Sequence, residues 1–306
     1  MATYTTYDTV GIKEDVSDVI SNIAPTKTPF QTMIGSDKTK NRQFQWMEDS
    51  LRAVQVNAKI EGFDATDATL TPPTLRSNYT QIMEKTIKVS ATEDAVDQYG
   101  RAKETAYQIA KAGEELKRDK EHAYVGLAQA ATAGNSSTTA RLTASASSQV
   151  TAASSLWYMG ATTPLGGTTG TAAALSESAV LGIGQAIYNN GGDPSVLMIK
   201  PADSLIVAGF AGASGRSREI GNEKKLVNVV DLYVSPFGEY KVVLNRFQKA
   251  TDAWLLDPSM WQDVTLRGWT REALSKTGDN SKHMLVGEFG LKHKNFAADG
   301  LITNLT

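Results

Sequence analysis

The chain has 306 residues, of which 41% are hydrophobic, which is enough for a sizeable core in one large domain or two smaller ones. Its 31 basic and 33 acidic residues leave a net charge of -2, whereas a nucleic-acid-binding domain usually carries a basic excess. It contains no cysteine, which excludes disulfides and thiolate metal sites. No apolar run approaches the ~18 residues of a membrane span, and residues 1–12 lack the core of a signal peptide. We therefore expect a soluble protein that is intracellular when it is synthesised.

The first forty residues have the character of an extended arm. Residues 16–23 hold one or two amphipathic turns, and Pro25 and Pro29 then break any helix, because proline lacks a backbone donor and restricts the residue before it. Such a segment buries little against its own domain. We expect a neighbouring molecule to order it.

Between residues 42 and 90 the hydrophobic pattern changes to a period of two. Apolar and polar residues alternate in three runs, at 43–46, 54–60 and 87–91. This alternation is typical of half-buried strands. The turn-rich stretch 61–73 makes a long tip, whereas compact hairpins close in two to five residues. A ribbon of two strands is marginal in water, so this projecting hairpin is expected to lie on another surface.

The longest helical pattern runs from Glu93 to Thr132. Small or apolar residues recur in steps of three, four and seven, which is the period of one helix face. They are Ala102, Ala106, Ile109, Gly113, Leu116, Ala123, Leu127 and Ala130. The pattern lapses once, at Lys120. A helix of roughly 35 residues is about 50 Å long, so we predict a strut across the molecule, with Gly113 on its apolar face.

The remaining chain divides into a polar stretch and a mixed α/β region. Residues 134–173 are rich in Ser, Thr, Ala and Gly, which predicts a loop or surface insertion with one apolar cluster at 156–159. Residues 174–306 alternate helices and strands. A helix is expected from its N-cap Ser176 to Tyr188, ended by the residues 189–192 with their two glycines, and a buried strand follows at 196–199.

Known catalytic motifs are not matched. No Gly-Lys pair exists, which excludes a P-loop, and residues 212–215 are one residue short of a nucleophile elbow. Asp119 and His122 have the i, i+3 spacing of carboxylate-bridged metal sites, but such sites need this motif on two helices. A salt-linked helix surface is the favoured interpretation. We predict no catalytic, cofactor-binding or metal site.

A small basic cluster lies between residues 216 and 225 of the α/β region. It consists of Arg216, Arg218, Lys224 and Lys225 and is interrupted by two glutamates. The simplest interpretation is a solvated loop. The functional alternative is a ring of charge that several subunits contribute around an axis.

Several short motifs occur in a characteristic order along the chain. They are Pro25-Thr26-Lys27-Thr28-Pro29-Phe30 in the arm, Asn78-Tyr79-Thr80-Gln81-Ile82 in the hairpin, the charged run 114–121 in the helix, Ser235-Pro236-Phe237-Gly238 and Leu255-Leu256-Asp257-Pro258 further on, and Leu274-Ser275-Lys276-Thr277-Gly278-Asp279 near the end. With this order of parts the chain resembles the major capsid proteins of tailed double-stranded DNA bacteriophages, which have the Hong Kong ninety-seven type of fold. It is most similar to the branch named for the major head protein of phage SU-ten. The insertion at 134–173 is the departure from that pattern.

The resemblance implies an α+β phage capsid fold with four parts. They are an N-terminal arm at 1–40, an extended β-hairpin loop at 41–91, a peripheral domain with a spine helix at 92–173 and 271–306, and a mixed α/β axial domain at 174–270. It also implies a structural subunit that self-assembles into pentamers and hexamers. These would form an icosahedral shell that encloses the double-stranded DNA genome.

Assembly of this kind would place particular residues at subunit interfaces. They are Phe30 of the arm, Trp46, Glu61 and Phe63 of the hairpin, and the basic cluster Arg216, Arg218, Lys224 and Lys225 near the capsomer axis. The partners implied are other copies of the chain, scaffold, portal and decoration proteins, and packaged DNA in non-specific proximity, with no membrane and no cofactor. The location implied is the virion capsid, assembled in the cytoplasm of a bacterial host.

Two alternatives remain at the level of the sequence. One is another phage structural protein, such as a tail or decoration component, against which the long helix argues. The other is a soluble α/β hydrolase, which would need a nucleophile, a base and an oxyanion donor that the sequence does not offer together.

Overall fold

The structure is a computed structural model that describes residues 27–97, 103–167, 170–210 and 232–306. The helices in these ranges are α1 (Pro29–Met33), α2 (Ala91–Ala95), α3 (Glu104–Glu121), α4 (Ala146–Gln149), α5 (Glu177–Asn190) and α6 (Ser204–Gly209). The strands are β1 (Gly35–Lys38), β2 (Gln43–Glu48), β3 (Thr74–Tyr79), β4 (Gln81–Ser90), β5 (Leu156–Tyr158), β6 (Val196–Ile199), β7 (Leu232–Ser235), β8 (Gly238–Leu244), β9 (Ala253–Leu256), β10 (Trp261–Ala273), β11 (Asn280–His293) and β12 (Gly300–Thr303). None of the helices in these ranges is long and apolar enough to cross a membrane.

A four-stranded sheet with the order β1-β10-β11-β4 supports the long helix α3. Its centre is the antiparallel pair β10–β11, and β1 joins β10 in parallel. Strand β4 buries Met83 and Val89 on one face, and Met83 packs with Leu116 of α3 and with Ala123. The strand expected at 87–91 is therefore confirmed. It begins earlier than expected, at Gln81.

A six-stranded mixed sheet with the order β5-β12-β9-β6-β8-β7 holds most of the apolar core. Strands β6 and β9 are buried along their whole length, because α5 covers one face and a cluster around Tyr124 and Trp261 covers the other. The Ser176 hydroxyl accepts a hydrogen bond from the Ala179 amide at 3.3 Å, and Gly191 ends α5 with φ +85°. The predicted helix caps and the buried strand at 196–199 are thus confirmed.

The strut helix is shorter than predicted. Helix α3 continues into one π-helical turn, His122–Gly126, and Leu127 is already extended. The prediction of helix up to Thr132 is therefore wrong. A Cβ at position 126 would collide with the carbonyl oxygen of Phe247 and the ring of His122, so a glycine must stand where the chain leaves the helix.

The buried face of α3 is also rotated relative to the prediction. Ala112, Leu116 and Lys120 are buried at i, i+4 spacing, whereas Gly113 is exposed, as is Ala106. Lys120, where the hydrophobic pattern lapses, therefore belongs to the buried face. A charged side chain is tolerated there because it meets an opposite charge inside the protein, as described below.

The arm packs into its own subunit from residue 28 onwards. Helix α1 buries Phe30 completely, and β1 pairs with residues 262–265 of β10. The expectation that this part of the arm needs a neighbour to order it is wrong, because a five-residue helix and a short strand anchor it. The preceding arm residues lie outside the described ranges.

The hairpin is present, but one of its predicted strands is not. Strands β2 and β3 pair in antiparallel register from Gln43↔Tyr79 to Glu48↔Thr74. The alternating run 54–60 is not a strand, since residues 49–73 have no regular secondary structure. Pro72 and Pro73, which have no backbone N–H, stand directly before β3 and interrupt the ladder.

The stretch 134–173 is not wholly on the surface. Residues 143–146, 149 and 150 are buried, and β5 forms an edge of the six-stranded sheet beside β12. Parts of 92–173 and 271–306 thus share a sheet with strands from 174–270. The division of the chain into domains stays a prediction.

The exposure of Gly113 yields a stability test. A Cβ at position 113 meets no atom within 4 Å. Glycine in a helix interior is about 0.5–1 kcal/mol less favourable than alanine. We therefore expect Gly113→Ala to raise the free energy of unfolding of the isolated subunit by about that amount, measured by denaturant titration. Gly126→Ala is the matched control in the same helix and should lower it. A destabilised Gly113→Ala would contradict the orientation of α3.

Candidate assembly surfaces

The connection between β2 and β3, residues 49–73, is called the apical loop here. Every residue in it is exposed. The relative exposure of its apolar side chains reaches 101% for Val54 and 97% for Val56. The other large apolar side chains exposed in it are Leu51, Ile60, Phe63 and Leu70. Contiguous exposed apolar surface is rare on a monomeric protein and marks an interaction site.

The apical loop makes only local hydrogen bonds in the described structure. The Phe63 amide donates to the Ile60 carbonyl at 3.3 Å, and the Arg52 guanidinium donates to the Ala53 carbonyl at 3.0 Å. Glu61 and Phe63 lie at the tip, where the Lys59 ammonium is 5.9 Å from the Phe63 ring centroid. The loop therefore receives no support from the rest of the subunit within the ranges that the structure describes.

Two predicted interface residues belong instead to the interior. Phe30 is fully buried and meets Trp261 edge to face at a centroid distance of 5.6 Å. Trp46 is 9% exposed and stacks on Phe44 at 5.9 Å, with Phe296 beside it. Because both side chains are covered within the subunit, their assignment to a subunit interface is corrected. The basic cluster Arg216, Arg218, Lys224 and Lys225 lies outside the described residues.

The root of the hairpin is held firmly, in contrast to its tip. Glu48 on β2 forms an ion pair with Arg76 on β3 at 2.7 Å, and its other oxygen accepts a hydrogen bond from the Phe296 amide at 3.2 Å. The Arg76 guanidinium lies 4.3 Å from the Phe296 ring centroid. These contacts join both hairpin strands to the turn that follows β11.

Side chains replace a strand at the point where β4 stops pairing with β11. The ladder ends at Phe289↔Gln81. Beyond it, the Leu291 carbonyl accepts hydrogen bonds from the side-chain amide groups of Asn78 at 2.6 Å and Gln149 at 3.2 Å. The Leu291 amide donates to the Thr143 hydroxyl at 3.1 Å. Asn78, at the end of the hairpin, is thereby tied to the four-stranded sheet and to residues 143–149.

Lys120 fixes the end of α3 to the four-stranded sheet. Its ammonium lies 2.5 Å from the Asp263 carboxylate on β10 and 3.9 Å from the Phe289 ring centroid. Tyr124 donates a hydrogen bond to the other Asp263 oxygen at 2.6 Å. Burial and the adjacent Asp263 carboxylate raise the pKa of Tyr124 well above its usual value, so this hydroxyl keeps its proton.

Glu121, the next residue, joins three other parts of the chain. Its carboxylate accepts hydrogen bonds from the amides of Phe30 at 2.8 Å and Gln31 at 3.0 Å, at the start of α1. It also accepts one from the Asn245 side chain at 2.8 Å, directly after β8. Burial raises the pKa of Glu121, and these hydrogen bonds only partly oppose that effect. The end of α3 therefore fixes the arm and the six-stranded sheet together.

A second buried carboxylate, Glu288 on β11, forms ion pairs with two arginines. One oxygen accepts hydrogen bonds from Arg141 and from the Thr80 hydroxyl, the latter at 2.6 Å, and the other lies 3.1 Å from Arg267 on β10. Arg141 also donates to the Thr80 carbonyl at 2.5 Å. This network ties the polar stretch 134–173 to the start of β4.

A buried histidine–aspartate pair spans the turn between β11 and β12, with His293 at the end of β11 and Asp299 directly before β12. The His293 ring nitrogen lies 2.5 Å from the Asp299 carboxylate, and both side chains are fully buried. The His293 ring stacks on Trp261 with 3.9 Å between centroids. Burial raises the pKa of Asp299, and the hydrogen bond with His293 opposes it. This pair holds the passage from the four-stranded to the six-stranded sheet.

None of these polar joints was anticipated from the sequence. The only signal was the lapse at Lys120, since a charge at an otherwise apolar position can mean a buried partner. Lys120 and Asp263, Glu121 and Asn245, and Arg141 and Glu288 are each separated by more than one hundred residues, and sequence spacing does not reveal such pairs.

Comparisons with known proteins agree with this geometry. A family model described as SU10 major capsid protein matches residues 2–306. The major capsid protein of Escherichia phage Phieco32 is 28% identical over 337 residues, which cover 98% of this chain and 96% of that protein. The capsid asymmetric unit of cyanophage A-1(L) matches with a TM-score of 0.70 at 14% identity, over 99% of this chain and 98% of that chain. A chain from Microbacterium phage Oxtober96 matches with a TM-score of 0.66 at 11% identity, over 95% of this chain and 96% of that chain. The predicted α+β phage capsid fold is confirmed.

The buried carboxylate of Glu121 yields a pH-dependent prediction. Because its pKa is raised in the folded state, its contribution to stability is present at acid pH and is lost as the pH rises through the folded pKa. Glu121→Gln cannot ionise, so the melting temperature of the native chain should exceed that of the variant by more at pH 4 than at pH 7. Thermal unfolding across this range measures the difference.

Glu115 supplies a control of opposite sign on the same helix. A hydrogen bond from Lys85 lowers the pKa of Glu115, so its contribution is present at neutral pH and is lost as the pH falls. The difference in melting temperature between the native chain and the Glu115→Gln variant should therefore be larger at pH 7 than at pH 4. Equal pH trends for the two variants would show that burial does not govern Glu121.

Proposed function

The chain belongs to the SU10 major capsid protein family and is a structural subunit of a phage capsid, and we propose that its copies associate through the apical loop into the pentamers and hexamers of an icosahedral shell. The role is structural rather than catalytic. The shell encloses a double-stranded DNA genome.

The contrast between the root and the tip of the hairpin carries this proposal. The root is held by the Glu48–Arg76 pair and the Asn78 hydrogen bonds, so it fixes the direction in which the loop leaves the body. The tip exposes its apolar side chains, and burial of each is worth ~1.5–3 kcal/mol. We infer that a loop held in this way lies on a surface of another subunit.

Many such contacts stabilise a closed shell even when each is weak. Every subunit both presents a loop and receives one, so the contacts act together in the assembled particle. Glu61 and Phe63 at the tip are the interface residues that we retain. Phe30 and Trp46 act inside the subunit, where they fix the arm and the hairpin root.

Further partners follow from the chemistry of a head shell. We assign scaffold, portal and decoration proteins to its surfaces, and packaged DNA to non-specific proximity, since a net charge of -2 gives little attraction for phosphates. The proposed division of the chain is an arm at 1–40, a peripheral domain at 92–173 and 271–306, and an axial domain at 174–270. Assembly takes place in the host cytoplasm.

Substitutions in the apical loop test the proposal. Val54→Ser, Val56→Ser and Ile60→Ser together remove exposed apolar surface and no contact with the body of the subunit. We expect a melting temperature of the subunit within about 2 °C of the native value, because surface substitutions change stability by about 0.5 kcal/mol or less. Shells or capsomers, counted by negative-stain electron microscopy of the purified protein, should be lost.

The matched control changes the intervening polar positions, with Gln55→Ser, Asn57→Ser and Lys59→Ser. It alters the same segment by the same number of residues and should leave assembly intact. Normal shells from the apolar triple variant would exclude the loop as the assembly contact. Native protein that forms no assembly, alone or with the other head proteins, would count against the shell itself.

A further inference from the structure

Three basic side chains lie on the short connection between β1 and β2. They belong to Lys38, Lys40 and Arg42, and all three are exposed. None of them forms an ion pair with a carboxylate of the described residues. The carboxylate of the preceding residue, Asp37, pairs instead with Lys292 at 3.1 Å. The three positive charges are therefore available to an anion from outside the subunit.

Two arginines border this connection. The Arg42 carbonyl accepts hydrogen bonds from the Thr80 amide at 2.9 Å and from the Thr80 hydroxyl at 3.2 Å. Thr80 also donates to Glu288, the buried carboxylate that pairs with Arg141 and Arg267. Arg267 uses only its Nε atom in this pair, and its side chain is 54% exposed, so its other N–H groups have no acceptor among the described residues. We call the five basic residues the basic corner: Lys38, Lys40, Arg42, Arg141 and Arg267.

The backbone that carries these side chains is held at both ends. Lys38 is paired with Thr265 in the β1–β10 ladder, and the Thr39 amide donates to the Thr265 carbonyl at 3.1 Å. At the other end, Gln43 is paired with Tyr79 in the hairpin. Because the backbone is fixed before a ligand arrives, less conformational entropy is lost on binding.

The basic corner concentrates positive charge on a chain that has little of it overall. Its five basic side chains face one carboxylate, Glu288, which leaves an excess of four positive charges, whereas the net charge of the whole chain is -2. Salt screens interactions between exposed charges beyond about 8–10 Å, so a phosphate responds to the local excess rather than to the total. Arginine and lysine side chains bind the phosphates of a duplex without reading its base sequence.

We propose that the basic corner binds backbone phosphates of the packaged double-stranded DNA, and that this side of the subunit faces the interior of the shell. The inference rests on the proposed function and assigns a contact surface to a partner that the total charge leaves in non-specific proximity. Duplex DNA is favoured over an acidic protein segment, because the enclosed genome presents phosphates to every subunit of the shell. Many weak contacts of this kind act together.

Removal of the exposed charges tests the inference on purified subunits. The corner variant changes the three residues of the connection, with Lys38→Gln, Lys40→Gln and Arg42→Gln. The matched control removes two lysines and one arginine from exposed positions elsewhere, with Lys111→Gln, Lys117→Gln and Arg271→Gln. Binding of a fluorescent duplex of about 30 base pairs is measured by anisotropy between about 50 and 200 mM salt, the range in which phosphate contacts change affinity steeply.

We expect the corner variant to bind the duplex at least about tenfold more weakly than the native chain at the lowest salt. Each lost phosphate contact lowers the slope of log K against log salt by about 0.9, so the loss of three lowers it by about 2.7. The control variant should keep the native slope. No binding by the native chain, an unchanged slope in the corner variant, or an equal loss in the control would overturn the inference. Release of the duplex by polyglutamate of equal total charge would assign the corner to an acidic protein and would also overturn it.

A second measurement uses assembled particles of the native chain and needs no substitution. Acetylation of lysines, followed by mass spectrometry of peptides, reports which ammonium groups are accessible. Lys38 and Lys40 should react at least about fivefold more slowly in DNA-filled particles than in empty shells, whereas Lys111 and Lys117 should react equally in both. Equal rates for Lys38 and Lys40 in the two kinds of particle would overturn the inference. Shells form in that case, so the proposed function would stand, whereas failure of the native chain to form any assembly would count against the proposed function.

Discussion

The end of helix α3 is the joint on which the rest of the subunit depends. Lys120 and Glu121 are consecutive and both buried, yet they serve different parts of the fold. Lys120 meets Asp263 of the four-stranded sheet, and Glu121 meets α1 and Asn245 beside the six-stranded sheet. Burying such charges costs free energy that their partners largely offset, so the net stabilisation is small, whereas loss of either partner is severe. Their main effect is to specify one arrangement of the two sheets and the arm.

Buried polar joints of this kind recur elsewhere in the described part of the subunit. Glu288 gathers Arg141 and Arg267, and Asp299 holds His293 at the passage from β11 to β12. The apolar core within each sheet is less directional, since hydrophobic contact tolerates sliding and rotation. Hydrogen-bonded networks in a low-dielectric interior have a fixed geometry. A shell subunit benefits from having both kinds of contact. The polar networks fix the orientation of its parts, which must match the orientation of neighbouring subunits, while the apolar core provides stability.

The hairpin has an ordered root and an exposed tip. Its root is ordered by Glu48, Arg76 and Asn78, and its tip is left without support. Ordering the tip costs conformational entropy, which its own subunit does not offset because it covers no apolar surface there. In the proposed shell, the loss of conformational entropy occurs when the tip contacts another copy. In the proposed shell, coupling order to contact weakens each pairwise association, and the assembled whole is stable through the number of its contacts.

The parts of the fold that are correctly predicted from the sequence depend on interactions between residues close together in the chain. The cap at Ser176, the glycine end of α5, the continuous apolar run of β6 and the alternation in β4 each depend on neighbouring residues, so the chain alone specifies them. The end of α3 was missed because the obstruction at Gly126 comes from Phe247, far along the chain. The burial of Lys120 cannot be read from the local pattern, because its partner Asp263 lies 143 residues away. Likewise, residues 54–60 alternate in the sequence, but they are exposed and form no strand in the described part of the subunit. The sequence by itself thus determined the short-range elements, whereas the tertiary structure decided which charges are buried and which strand stays open, because both depend on groups distant in the chain.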